Sequence, residues 1–239
     1  MSTFSKNPLY ADVTPIPQDD GPSPVVAIRY NHEFRETMDY FRALIAKNEI
    51  SERALAVVDK VIELNAPNYT AWQYRRKLLF GLPKINLYQE LDYVSKVALS
   101  TPKNYQLWWH RRQIIKKIIE QQQQQQAKSA VGLTEETTKT KSETDANDKK
   151  ESPTQSYHPN DEKLLVREIL KEDGKNYHAW SHLHWVLKEF KNYDDELEYV
   201  DELLKLDVRN NSAWNHRYFI ISQTTGFTLP VVLREIRLE

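Results

Sequence analysis

Asn68-Tyr-Thr-Ala-Trp72-Gln-Tyr-Arg-Arg76 and Asn104-Tyr-Gln-Leu-Trp108-Trp-His-Arg-Arg112 are two copies of one pattern, Asn-Tyr-x-x-Trp-x-(His/Tyr)-Arg-Arg. Looser copies follow as Asn176-Tyr-His-Ala-Trp180-Ser-His-Leu-His184 and Asn210-Asn-Ser-Ala-Trp214-Asn-His-Arg-Tyr218. Self-similarity at a fixed period of this size marks an array of helical units, each burying its apolar face against its neighbours.

Val58, Val94, Val166 and Val200 stand fourteen residues before the four tryptophans. Val61, Val97, Ile169 and Leu203 stand eleven before, and Ile62, Ala98, Leu170 and Leu204 ten before. Those offsets share one helical face, in the same register in every copy. Each unit therefore reads as a helix A, a short turn, and a helix B that opens at the asparagine. Asparagine suits that place because its side-chain oxygen accepts from the free N–H groups of the first turn. Helix B then presents the tryptophan and an aliphatic residue two turns on, Leu79 after Trp72 and Ile115 after Trp108. The expected fold class is all-α, an α–α hairpin repeat solenoid.

The spacing fails once. Trp72 to Trp108 is 36 residues and Trp180 to Trp214 is 34, but Trp108 to Trp180 is 72. The surplus is Gln121 to Gln126 followed by Lys/Ser/Thr/Glu-rich sequence up to Tyr157. Low complexity with few apolar residues predicts a disordered insertion over about 121–157, with helix B ending at Glu120. At the other end, five prolines within residues 1–24 predict an extended arm, leaving 25–239 as the helical-repeat domain. Val25 to Ile28, Tyr30, Phe34, Met38, Phe41 and Ile45 mark a first amphipathic helix. Gly226 is a stop signal, and Thr228 to Leu233 reads as another helix A. The sequence ends at Glu239 before a helix B could pair with it, which reads as a shortened chain or an end that a partner covers.

Composition excludes several classes. Five glycines argue against sheet-and-turn architecture and phosphate-cradling loops, and a net charge of −1 gives no electrostatic case for nucleic acid or an anionic membrane. Cysteine is absent, which removes disulfides, thiolate metal sites and cysteine nucleophiles. No apolar run suits a leader or a membrane span, so a soluble cytoplasmic protein without direct membrane insertion is expected.

The repeats resemble those of the protein prenyltransferase α subunits, most nearly the branch shared by farnesyltransferase and geranylgeranyltransferase type I. The likeness extends through Val13-Thr-Pro-Ile-Pro-Gln-Asp-Asp-Gly-Pro-Ser-Pro-Val-Val26, Asp39-Tyr-Phe-Arg-Ala43 and Val208-Arg-Asn-Asn-Ser-Ala-Trp-Asn215. The resemblance implies a crescent around a β subunit that supplies a catalytic zinc and most of the lipid cavity, with Mg2+ serving the farnesyl reaction. It implies transfer of an isoprenoid, farnesyl or geranylgeranyl, from its diphosphate to the cysteine of CaaX-terminated proteins. By the same resemblance Lys103 in Pro102-Lys-Asn-Tyr-Gln106 contacts the diphosphate, Tyr105 and Gln106 bind substrate, and Tyr177 and His178 line the shared cavity. Ser181, Leu183 and His184 stand where the family usually has Gln, Arg and Gln, and the low-complexity insertion is extra. Two alternatives stay open: a non-catalytic helical scaffold that binds peptides, and the α subunit of the Rab-type geranylgeranyltransferase.

Repetition itself argues for scaffold. Trp72, Trp108, Trp180 and Trp214 read as core residues, and Arg75, Arg76, Arg111, Arg112 and Arg217 as partners of helix A carboxylates or C-terminal carbonyls. His178, His182 and His184 invite a metal reading, but His182 occupies a repeat position and no carboxylate is evident to complete a site, so no metal is assigned. Position 178 differs in every copy, as Thr70, Gln106 and Ser212, while each of its neighbours changes only once, at Asn211 and Leu107, which suits a substrate-facing edge. Lys175 and Arg209 match Lys103 in offset, so solvated surface is its bland reading. A lysine beside a helix N-terminus is also a natural partner for a diphosphate.

Overall fold

Every helix B begins where the asparagine pattern places it. In the computed structural model Asn68 accepts from Ala71 N–H, Asn104 from Gln106 N–H, Asn176 from His178 and Ala179 N–H, and Asn210 from Ser212 and Ala213 N–H. The described residues are 4–135 and 156–237, without the side chains of 129–135. Among them the regular structure is helical, with no strand.

The described residues form two compact units. The first holds α1 (His32–Ala46), α2 (Glu52–Leu64), α3 (Tyr69–Gly81), most of α4 (Leu87–Ser100) and α5 (Tyr105–Glu135). Here α1 packs on α2, α2 on α3 and α3 on α5. The second takes residues 97–103, then α6 (Pro159–Glu172), α7 (Tyr177–Phe190), α8 (Glu196–Leu206), α9 (Asn211–Gln223) and α10 (Leu229–Ile236). Here α6 packs on α7, α8 on α9 and α7 on α9. Each unit thus holds two A–B pairs.

The expected helix A face is the core. Val58, Val61, Ile62, Val94, Ala98, Val166, Ile169, Leu170 and Val200 are buried, as are Leu79 and Ile115 on helix B, while Val97, Leu203 and Leu204 are half-buried. Three tryptophans are core residues as expected: Trp72, Trp108 and Trp180. Trp214 is not; it is 36% exposed. The reason lies in what covers the others. The His110 ring lies tilted against Trp72 with centroids 4.9 Å apart, and His216 against Trp180 at 4.8 Å, so for these two tryptophans the next helix B forms a roof. Among the described residues no histidine ring stands over Trp214. Apolar Leu229, Leu233 and Ile236 on α10 are likewise exposed.

Two boundaries differ from expectation. The first helix starts at His32, and Val25, Val26 and Ile28 are exposed without regular structure. Asn31 sets the start by accepting from Phe34 N–H at 2.8 Å, and a Pro-flanked β-branched run has no such cap. Ahead of it, 3-10 turns at Phe4–Lys6 and Pro8–Tyr10 bury Phe4 and Tyr10 against Tyr40 of α1. The second difference is the insertion. Rather than ending at Glu120, α5 continues through the glutamine run to Glu135. Glutamine is a good helix former, and a helix already nucleated by a packed segment extends without the nucleation cost. Gln122 also donates to the Tyr88 hydroxyl at 2.8 Å. The remainder of the expected disordered stretch, 136–155, lies outside the described residues.

Candidate functional site

The turns that open the helices B are built from a few repeated bonds. The Trp72 indole N–H donates to the Ala66 carbonyl at 2.7 Å, and Nδ2 of Asn104 donates to the same oxygen at 2.7 Å. In the second unit Trp180 and Asn210 share the Gly174 carbonyl at 3.0 and 3.3 Å. Asn104 and Asn210 therefore cap their own helices with one atom and pin the preceding turn with another, whereas Nδ2 of Asn176 is buried without a partner. A turn fixed at both ends holds its exposed side chains at defined positions, which is what a binding edge needs.

Lys103 belongs to the second unit, where its ammonium lies 3.1 Å from Oδ2 of Asp173, the residue ending α6. The amine is largely in solvent, with 75% of the side chain exposed. Its bond holds the Asp173 carboxyl below the usual carboxylate range. Asp173 stands three residues ahead of the Asn176 cap, so Lys103 is tied to the turn that carries Tyr177 and His178. Those two occupy the first turn of α7, Tyr177 exposed and His178 half-buried, with their rings edge-to-face at 5.7 Å. Tyr105, exposed, and Gln106, half-buried, occupy the first turn of α5 in the other unit.

The remaining polar groups of the repeat pattern are structural. Glu90 accepts from Nε and Nη2 of Arg75, each at 2.7 Å, and from His110 Nε2 at 2.7 Å, while Nη1 of Arg75 pairs with Asp59. Burial opposes the Glu90 charge, but the bonds from His110 and Arg75 outweigh it and keep its pKa below the ordinary value. Burial pushes His110 down, against the pull of Glu90. His110 Nδ1 is buried without a partner, so the ring is the neutral Nε2–H tautomer donating to Glu90. His182 on Glu162 at 2.8 Å and His216 on Glu196 at 2.9 Å repeat the pair. Lys163 and Arg167 add to Glu196, each at 2.9 Å.

Of the histidines that invited a metal reading, His182 does have a carboxylate neighbour, Glu162, but as a paired hydrogen bond; Glu90, Glu162 and Glu196 all stand twenty residues before His110, His182 and His216, a regularity visible in the sequence. Where the first copy has Ala54 in place of glutamate it has Tyr74 in place of histidine, and the Tyr74 hydroxyl donates to backbone carbonyls instead. The arginine expectation holds for Arg75 and for Arg217 on Asp201 and Glu235, whereas among the described residues Arg111 bonds the Leu91 carbonyl and the Ser95 hydroxyl within α4 rather than a carboxylate or the C-terminal carbonyls. Arg76 departs from it, with Nη1 buried and without a partner. Among the described residues no three His, Cys, Asp or Glu side chains cluster as a metal ion requires.

Four stretches, residues 51–82, 87–118, 159–190 and 193–224, match the family described as "Protein prenyltransferase alpha subunit repeat". They coincide with the four helix pairs. The chain is 57% identical over 91 residues to the protein farnesyltransferase/geranylgeranyltransferase type-1 subunit alpha of Pisum sativum, covering 38% of this chain and 27% of that one. Against the Candida albicans subunit of the same name it is 38% identical over 99 residues, 41% of this chain and 32% of that one. These alignments span about a quarter to a third of the relatives' length. The fold is similar to a solved chain of Candida albicans protein geranylgeranyltransferase-I complexed with GGPP, with a TM-score of 0.77 and 31% identity, over 98% of this chain and 68% of that one.

Proposed function

The chain belongs to the protein prenyltransferase alpha subunit family, and from that premise we propose that it is the α subunit of a heterodimeric CaaX prenyltransferase. The enzyme joins a farnesyl or geranylgeranyl group to the cysteine of a C-terminal CaaX sequence. The observation that carries the reading is Lys103, an exposed cation beside a helix start, held against the turn that presents Tyr177 and His178.

In this reading a carbon–sulfur bond forms at C1 of the isoprenoid while the C1–oxygen bond to pyrophosphate breaks. Negative charge grows on the leaving oxygens, and Lys103 stabilises it electrostatically, with no proton transferred. Gln106 and Tyr105 bind the substrate peptide, and Tyr177 and His178 line the cavity edge. Among the described residues no three His, Cys, Asp or Glu side chains cluster as a metal ion requires. In this reading the β subunit holds the zinc that would lower the pKa of the substrate thiol, and Mg2+ serves the farnesyl reaction.

The geometry also supplies the competing reading its best argument: Lys175 sits 4.0 Å from Asp207 at the equivalent place in the next repeat. The test separates the two lysines. The chain is co-purified with a β subunit, and single-turnover transfer is measured for Lys103→Ala and Lys175→Ala. Loss of about 10² to 10³ for the first and almost none for the second is expected. Equal behaviour makes Lys103 a surface cation and removes the catalytic assignment.

A further inference from the structure

Asp173 is more firmly placed than the lysine it holds. Its N–H donates to the Ile169 carbonyl at 3.1 Å, its carbonyl accepts from Asn176 N–H at 3.0 Å, and Oδ1 accepts from Lys175 N–H at 3.2 Å. Three bonds leave Oδ2 as the atom that meets the Lys103 ammonium at 3.1 Å. The same turn recurs around Asp207, whose Oδ1 accepts from Arg209 N–H at 2.9 Å. There the cation stands off at 4.0 Å, the limit of an ion pair. The turn is repeated, but close engagement of the cation is not.

A lysine on a flexible four-carbon stem carries substantial rotamer freedom, which an anchored carboxylate restricts. An exposed pair of this kind is also weak, so a stronger anion can take the ammonium away. A diphosphate brings several negative charges to the same amine.

We propose that Asp173 is a positioning residue for Lys103: it holds the ammonium over the turn opening α7 as a provisional counter-ion, which the diphosphate then replaces. The proposal rests on the prenyl-diphosphate reading above. It places a carboxylate in competition with substrate for one cation, so binding is an exchange of counter-ions.

Asp173→Asn keeps the turn, because the amide oxygen still accepts from Lys175 N–H, but removes the competing charge. The experiment uses the co-purified heterodimer, inorganic pyrophosphate as the probe, and the variants Asp173→Asn, Lys103→Ala, the double variant, and Asp207→Asn. Asp173→Asn is expected to tighten pyrophosphate by about two- to fivefold, the range of an exposed ion pair. In the Lys103→Ala background the same change has no effect, and Asp207→Asn alone has none. A general charge effect would survive loss of Lys103, and a purely structural role would lower melting temperature without such coupling. Equal tightening in both backgrounds, or no tightening with Lys103 present, overturns the exchange while leaving the Lys103 assignment intact. Lys103→Ala behaving as wild type in binding and turnover overturns both.

Discussion

His184 donates from Nε2 to Nδ1 of His216 at 2.9 Å, and His216 donates from Nε2 to Glu196 at 2.9 Å. The first ring is stacked on Phe219, 4.0 Å between centroids. Burial first, then the neighbouring His216 and Lys188, push the His184 pKa down to about 4. In the unfolded chain the ordinary value of 6.5 applies. Between those values the unfolded state binds a proton that the native state refuses, so stability falls as pH drops through this window and is complete above it. A gap of this size is worth at most about 3 kcal/mol, and partial exposure of the ring brings it nearer 2. Burial also lowers His110 and His216, so they steepen the same slope. The depressed carboxyls of Glu90 and Glu196 act with the same sign, but below the ordinary 4.5 of a glutamate.

His184→Gln isolates the first contribution, because the amide still donates to His216 but does not titrate. Urea unfolding of wild type and variant is compared at pH 7.5 and pH 5. At pH 7.5 the two should agree within about 0.5 kcal/mol. On acidification the wild type should lose about 1–2 kcal/mol more than the variant. Parallel losses would refute the assignment of a suppressed proton to His184. A large deficit of the variant at pH 7.5 would show that the ring stack, rather than the hydrogen bond, holds the site.

Trp108→Ala should cost roughly 3–5 kcal/mol and Trp214→Ala clearly less, since only the former is buried; equal denaturation midpoint shifts would contradict the burial argument. Glu90→Ala leaves buried Arg75 with Asp59 alone and His110 without its acceptor and should cost about 3–5 kcal/mol, whereas an exposed control such as Glu63→Ala should stay within about 0.5. Lys191 ends α7 at φ 54, in the left-handed region, so Lys191→Gly should stabilise by about 1 kcal/mol, and a loss instead would show that the lysine side chain matters more than the backbone. Gln124→Pro breaks α5 beyond Ile118, the last buried aliphatic residue among the side chains described for α5, and should lower helical circular dichroism while leaving the melting temperature nearly unchanged.

The helix pairs, their register and their asparagine caps were legible because they depend on local chemistry: a 3.6-residue period and a side chain that bonds its own first turn. The same periodicity displayed the His–Glu pairs at a constant separation, but spacing alone does not show that two helices bring the ends together. Three features needed the tertiary structure. Trp214 has the same sequence neighbourhood as Trp72, and only the presence or absence of a roofing histidine separates an exposed ring from a buried one. The glutamine run is helical because α5 is already folded beneath it, a cooperative effect that composition ignores. Lys103 and Lys175 are equivalent by offset, yet one ammonium is at 3.1 Å from its carboxylate and the other at 4.0 Å. The sequence determined which residues occupy the repeated turns, because turns are written locally. Which of those residues meet was decided by packing between helices distant in the chain.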